Sequence, residues 1–319
     1  MRLAVLDIGS NTAHLCIADL DPGCPPQHVS TLKRQVLVTE DTDRRGVIGR
    51  SAIDRLTGSV GAAAAAAALH RAHEFVPFVT AAVRDAANRD LILAEIRSVT
   101  GVRVGFMDAV QEARLTFLAV RRWYGWSAGP ILLADIGGGS MEIAYGTCED
   151  PCVALSLPLG AGRLTRHCLP DPDHVKKKHF QRLREHVESV LAEAVAEVSA
   201  RYRARPGTAV ATSRTFYQLA RLCGAPKAKS GPYTARTLRR DDLRAAIALL
   251  AGKTPAQRAR LPGVSAPRAR QILAGAIVAD ATMAALGLAC LRICPWALRE
   301  GVLLDRLRSR EDVIYSPTG

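Results

Sequence analysis

The chain has 319 residues, 48% hydrophobic and 23% charged, with no apolar run near the ~20 residues of a membrane-crossing helix, which excludes a helical membrane protein and predicts two domains at ~100–200 residues each. Its formal charge of +13 falls entirely within residues 146–319, so the second half should attract polyanions. Aromatic residues make up only 5%, and no helix-turn-helix or zinc-finger spacing occurs, which argues against nucleic acid as the partner.

The opening MRLAVLDIGSNT meets Asp7 too soon for an export signal, so a cytoplasmic location is expected. Residues 2–8 and 13–20 read as a hairpin around Gly9-Ser10-Asn11-Thr12, followed by a strand near 28–38. Helical periodicity predicts helices at 50–70, 88–99 and 109–124, the first holding the alanine run 62–68, with short strands at 75–80 and 102–107 between them. Gly125, Gly129 and Pro130 mark a linker, after which the pattern restarts. A strand is expected at 153–158, long helices at 174–203 and 265–288, and a strand-to-helix turn at 208–222. A basic loop at 225–238, a last strand at Cys290–Cys294 and a closing helix at 299–308 complete the pattern. None of the eight cysteines forms a C-x-x-C pair or has histidines at ligand spacing, so reduced thiols are expected.

Leu3-Ala4-Val5-Leu6-Asp7-Ile8-Gly9-Ser10-Asn11-Thr12 returns in character as Ile131-Leu132-Leu133-Ala134-Asp135-Ile136-Gly137-Gly138-Gly139-Ser140, a repeat offset by 128 residues. The expectation is an α/β fold of two duplicated domains, 1–127 and 128–298, with the C-terminal segment 299–319 returning to the first. Turns of Gly, Ser, Thr and Asn let successive amides point at one anion. An aspartate closing each preceding strand adds a carboxylate suited to Mg²⁺ or to orienting water. Two such turns at equivalent points are expected to face each other across a cleft.

The blocks DIGSNTAHL at 7–15, TAAVRDAANRD at 80–90, QEARLTFLAV at 111–120, DIGGGSMEI at 135–143, LPLGAGRLT at 157–165, ATSRTF at 211–216 and ALREGVLL at 297–304 together resemble the exopolyphosphatase / guanosine pentaphosphate phosphohydrolase family in its short two-domain form. That family is part of the superfamily of actin, the sugar kinases and Hsp70. The resemblance implies two actin-like (ribonuclease H-like) domains flanking a central cleft. It also implies removal of the terminal phosphate of inorganic polyphosphate, or of the 5′ γ-phosphate of pppGpp, by water with Mg²⁺. Carried onto this chain, it implies Glu112 as catalytic base and Glu142 as the residue orienting water or metal. Asp7 and Asp135 are then the metal carboxylates, and Ser10, Asn11, Thr12, Gly137, Gly138, Gly139 and Ser140 the phosphate loops. Arg84 would reach the cleaved phosphate. Two departures stand out: Asp108-Ala109-Val110-Gln111 replaces the family's Ser-Gly-x-Glu before Glu112, and Ala211-Thr212-Ser213 lacks the glycine that commonly opens the adenosine-contacting turn.

Phosphoryl transfer is mostly positioning and charge neutralisation, so fixed amides, a cation and a carboxylate base are the groups the chemistry needs in any case. Each residue also has a plainer reading: Glu112 paired with Arg114, Arg84 paired with Asp85 or Asp90, His14 packed in the core. Ser213 and Arg214 open a helix after a strand, where amides can hold an anion or serve as a simple cap. Lys227, Lys229 and Arg268, with Lys176, Lys177, Lys178, Arg214, Arg239, Arg240 and Arg270, form a candidate track for successive phosphates. An extended basic track favours a long polyphosphate over a nucleotide. The alternatives are a pppGpp 5′-phosphohydrolase and a non-catalytic sensor of ppGpp or polyphosphate, with a homodimer as the candidate assembly and no membrane involved.

Overall fold

In the computed structural model, which describes residues 1–169, 171, 174–205 and 207–314, the chain divides into two compact units, Met1–Ala119 with Trp296–Gly319, and Val120–Pro295. Residues 315–319 of the expected C-terminal segment lie outside the described residues.

The first unit runs β1 (Arg2–Ile8), β2 (Thr12–Asp19), β3 (Gln27–Gln35), α1 (Arg50–Leu69), β4 (Glu74–Val79), α2 (Ala81–Arg84), α3 (Arg89–Thr100), β5 (Gly105–Phe106) and α4 (Ala109–Tyr124), the last of which continues into the second unit. Its sheet has the order β3-β2-β1-β4-β5, antiparallel among the first three strands and parallel from β1 through β4 to β5. Central β1 is apolar on both faces. Ala4, Leu6 and Ile8 pack with Ile53, Leu56, Val60 and Ala63 of α1, whose small alanines let the helix lie close to the sheet. Leu3 and Val5 pack on the opposite face with Leu115 of α4. Edge strand β3 is largely exposed and carries Lys33 and Arg34, charges that discourage edge-to-edge pairing. The strand expected at 102–107 is only Gly105–Phe106: Pro77 in β4 can donate no ladder hydrogen bond, and pairing with β5 begins at the next residue, Phe78.

The second unit runs β6 (Ile131–Ile136), β7 (Met141–Gly146), β8 (Val153–Leu157), α5 (Ala161–Cys168), α6 (Lys177–Ala204), β9 (Thr208–Thr212), α7 (Ser213–Leu222), β10 (Thr237–Arg239), α8 (Arg240–Ala251), α9 (Pro255–Arg258), α10 (Ala266–Ala269), α11 (Ile272–Ala285) and β11 (Cys290–Ile293). The order β10-β11-β9-β6-β7-β8 repeats the first sheet strand for strand, with β10 added antiparallel at the far edge. Both units therefore have the ribonuclease H-like, actin-like arrangement. Chain order closes with α12 (Leu298–Ile314), whose Leu298, Val302 and Leu303 join the β1 core of the first unit.

Two further segments differ from expectation. The helix expected over 265–288 is two helices, because i→i−3 bonds from Arg268 N to Ser265 O and from Gln271 N to Arg268 O tighten the first turn and the helix restarts at Ile272. From there to Met283 every residue is buried, so α11 is the central helix of its unit. The basic loop ends earlier than expected, at β10, and is followed by α8, whose Leu243, Ala246, Ile247 and Leu250 form one buried face. The buried Arg236 guanidinium organises that loop, donating to the carbonyls of Pro226, Lys227, Gly231 and Thr234.

Candidate active site

In the first unit, Asp7 is the penultimate residue of β1, and the turn to β2 is closed by Gly9 N donating to Thr12 O at 3.0 Å. The carbonyls of Ser10 and Asn11 accept from the amides of Val36, Leu37 and Val38, so the segment leaving β3 braces the turn. Ser10 and Asn11 are buried and hydrogen-bonded to each other. Burial raises the Asp7 carboxyl above the usual carboxylate range, opposed by Arg299, whose Nη1 lies 3.3 Å from Asp7 Oδ2. Opposite Asp7 on β2, His14 is pushed down to about 3 by burial, with Arg299, Lys33 and His28 adding to the effect. It is neutral at working pH and sits as a packed strand residue.

Glu112 lies in the first turn of α4. Asp108 precedes that helix, its Oδ1 accepting from Val110 N at 3.0 Å and Gln111 N at 3.1 Å, while its carbonyl accepts from Glu112 N. Those backbone bonds, led by Gln111, hold the Asp108 carboxyl below its usual value. The substituted segment before Glu112 thus makes a well-capped helix start. Arg84, at the end of α2, donates to Met107 O at 2.9 Å and Asp85 Oδ1 at 3.0 Å, and reaches Glu112 Oε2 at 3.5 Å. Arginine and glutamate are brought together, and the Asp85 contact of the plainer reading coexists with that pairing.

In the second unit the same design recurs 128 positions later: Asp135 is the penultimate residue of β6, and Gly137 N donates to Ser140 O at 3.0 Å. Helix α5 braces this turn, Ala161 N donating to Gly137 O at 3.0 Å and Arg163 N to Gly138 O at 2.9 Å. Gly160 makes that approach possible. A Cβ there would lie 2.5 Å from both Gly138 O and Gly139 N, closer than atoms can stand. Gly160→Ala should therefore displace the turn, costing about 1–3 kcal/mol of stability together with turnover. Urea unfolding and phosphate-release assays check this; an unchanged midpoint and rate would refute it.

Glu142 faces Asp135 in the β6–β7 register, is only 2% exposed, and accepts from Ser156 Oγ at 2.9 Å. Ser213 opens α7 at φ 88°, a backbone conformation that normally selects glycine, so the turn keeps its shape without one. The Arg214 guanidinium stacks 5.0 Å over the Tyr217 ring, and Arg268 Nη1 donates to Thr215 Oγ1 at 3.3 Å. Burial pushes Arg268 down to about 10, with Arg214 acting in the same direction and Asp135 opposing. Arg268 thus feels the charges of both Arg214 and Asp135, whereas Lys227 and Lys229 stand exposed on the loop. Arg240 is held by Asp280 at 2.8 Å, which withdraws it from the track.

Among the described residues no three His, Cys, Asp or Glu side chains gather to hold a metal unaided. Mg²⁺ characteristically takes one or two carboxylates and completes its shell with water and substrate phosphates, and Asp7 and Asp135 are hard oxygen donors of that kind. Each carboxylate, taken within its own unit, is a donor of the kind this ion prefers. Arg299 beside Asp7, Ser156 beside Glu142 and Gly160 beside turn 137–140 were not among the candidates read from the sequence, although the blocks ALREGVLL and LPLGAGRLT that carry Arg299 and Gly160 were visible there.

The chain is 48% identical over 312 residues to Exopolyphosphatase 1 of Mycobacterium tuberculosis, covering 98% of this chain and 90% of that protein. Exopolyphosphatase 1 of Mycobacterium leprae is 48% identical, with 98% and 91% covered. Among solved structures, an exopolyphosphatase from Cytophaga hutchinsonii superposes with a TM-score of 0.84 at 22% identity, covering 97% of this chain and 98% of that one. A Ppx/GppA family member from Aquifex aeolicus gives 0.77 at 23% identity with 97% and 98% covered, and these two likenesses show the shared fold. Residues 16–310 match the family as a whole, and the chain belongs to the Ppx/GppA phosphatase family.

Proposed function

We propose that this chain is an exopolyphosphatase, hydrolysing the terminal phosphoanhydride bond of inorganic polyphosphate. The observation that carries the reading is the 48% identity, over 98% of the chain, to proteins named Exopolyphosphatase 1. The braced turns and the Arg84–Glu112 pair are groups suited to that chemistry. Water attacks the terminal phosphorus, the bridging P–O bond breaks, and orthophosphate leaves a chain one unit shorter. Glu112 accepts the proton lost by water, and Arg84 offers its guanidinium to the reacting phosphate, the 3.5 Å contact with Glu112 being long enough for an anion to outcompete. Turns 9–12 and 137–140 supply amides for phosphate oxygens. Mg²⁺, held by Asp7 and Asp135, would neutralise charge on the phosphates.

The test is phosphate release from short-chain polyphosphate, long-chain polyphosphate and pppGpp, with Mg²⁺ and after EDTA. Faster release from polyphosphate, lost with EDTA, is expected. Preference for pppGpp would make the protein a pentaphosphate phosphohydrolase, and tight binding without release would make it a sensor. The excess positive charge of the second half adds an expectation. If Arg268, Lys227 and Lys229 each meet a phosphate, affinity should fall roughly 20-fold across a fourfold rise in salt, by counterion release. Affinity independent of salt would remove the track. Among the described residues no helix is long and apolar enough to cross a membrane.

A further inference from the structure

Residues 297–304 supply no group to the chemistry above, yet the start of α12 is held from several directions. Glu300 is buried and its Oε2 accepts from Ala297 N at 2.8 Å, closing the helix start. Gly301 lies against α4 so closely that a Cβ would stand 2.5 Å from the carbonyl carbon of Leu115, three residues after Glu112. Leu298, Val302 and Leu303 fill the core beside Leu3 and Val5 of β1. Arg299 is thereby fixed in position between two buried anchors, with its guanidinium 3.3 Å from Asp7.

We propose that Arg299 is a positioning residue for the hydrolysis: it holds the Asp7 carboxylate in one orientation beside turn 9–12. This rests on the hydrolase reading. The aspartate is the penultimate residue of β1, and the two ends of the contact are 292 residues apart in the chain, so the fold has brought a guanidinium to that carboxylate from its far end. A carboxylate next to an anion-binding turn is repelled by the incoming phosphates. Paired with Arg299, it keeps its place while its charge is balanced. Helix α12 is seated through Gly301 on the same α4 that carries Glu112, so one short segment orders Asp7 directly and stands one helical turn from the base.

The experiment is a double-mutant cycle of Arg299→Ala and Asp7→Asn, with Arg299→Lys as the conservative variant, reading kcat, KM and unfolding by urea. Arg299→Ala should lower kcat roughly 10–100-fold, as loss of partners that orient site ligands typically does, with KM changed less than threefold. Arg299→Lys should recover most of the rate, and Arg299→Ala should cost nothing further in the Asp7→Asn background. Wild-type turnover in Arg299→Ala, or losses that multiply in the double variant, would overturn the proposal. Should Arg299→Ala fail to fold, Arg299→Gln takes its place in the cycle. If the wild type releases no phosphate, the hydrolase reading fails and the catalytic role of Arg299 with it. The unfolding cycle then separates the two failures: coupling supports the hold on Asp7, and additivity removes that as well.

Discussion

Glu112→Gln should lower kcat for polyphosphate hydrolysis by roughly 100- to 10,000-fold while leaving substrate affinity nearly unchanged, because general-base assistance is typically worth that much and binding rests on other groups. The amide has the shape of the carboxylate, and its oxygen can still accept from Arg84 Nη1, the contact now at 3.5 Å. Helix α4 is started by Asp108 and does not depend on the Glu112 side chain, so the variant should fold normally. What the amide cannot do is take a proton from the attacking water. The loss should therefore fall on kcat, with KM close to its wild-type value where substrate equilibrates before chemistry. Arg84→Ala is the contrast: it removes the charge proposed to meet the reacting phosphate and should raise KM as well. Near wild-type turnover in Glu112→Gln would remove Glu112 as the proposed base.

Arg184→Ala with Arg240→Ala should destabilise the second unit by about 3–5 kcal/mol, because it strands a buried carboxylate. Asp280 lies in the fully buried stretch of α11 with its side chain 3% exposed, and its oxygens are met by Arg184 of α6 at 3.0 Å and Arg240 of α8 at 2.8 Å. The arginines are 42% and 30% exposed, so the two directions of disruption are unequal. With the arginines gone, the buried aspartate keeps no cation to balance its charge. Asp280→Ala instead leaves two guanidinium groups that can turn outward, and it should cost less than half as much. Thermal unfolding reads both: at roughly 2–4 °C per kcal/mol for a unit of this size, the double arginine variant should lose about 6–20 °C. Equal losses in the two variants would show that the cost lies in packing and not in the stranded charge.

The sequence by itself determined what depends on near neighbours. Asp-Ile-Gly followed by small residues reads as a strand end and a tight turn, and both copies in this chain take that form. The two copies close with the same hydrogen bond, Gly9 to Thr12 and Gly137 to Ser140, both at 3.0 Å. Apolar periodicity marked α1, α3 and α4 to within a residue or two, because a helix reports its buried face every three or four positions. The buried face of α8 had the same signal in Leu243, Ala246, Ile247 and Leu250, hidden behind a run of basic and acidic residues. The tertiary structure alone decided which distant groups meet. Arg299 finds Asp7 across 292 positions, Arg184 finds Asp280 across 96, and Gly160 is required because α5 presses on a turn twenty residues earlier. No local pattern encodes such pairs, since each follows from strand order and from helices seated on both faces of a sheet. Strand ends and turns are specified by hydrogen bonds and sterics within a few residues, whereas the partner of a charge is set by how whole elements pack.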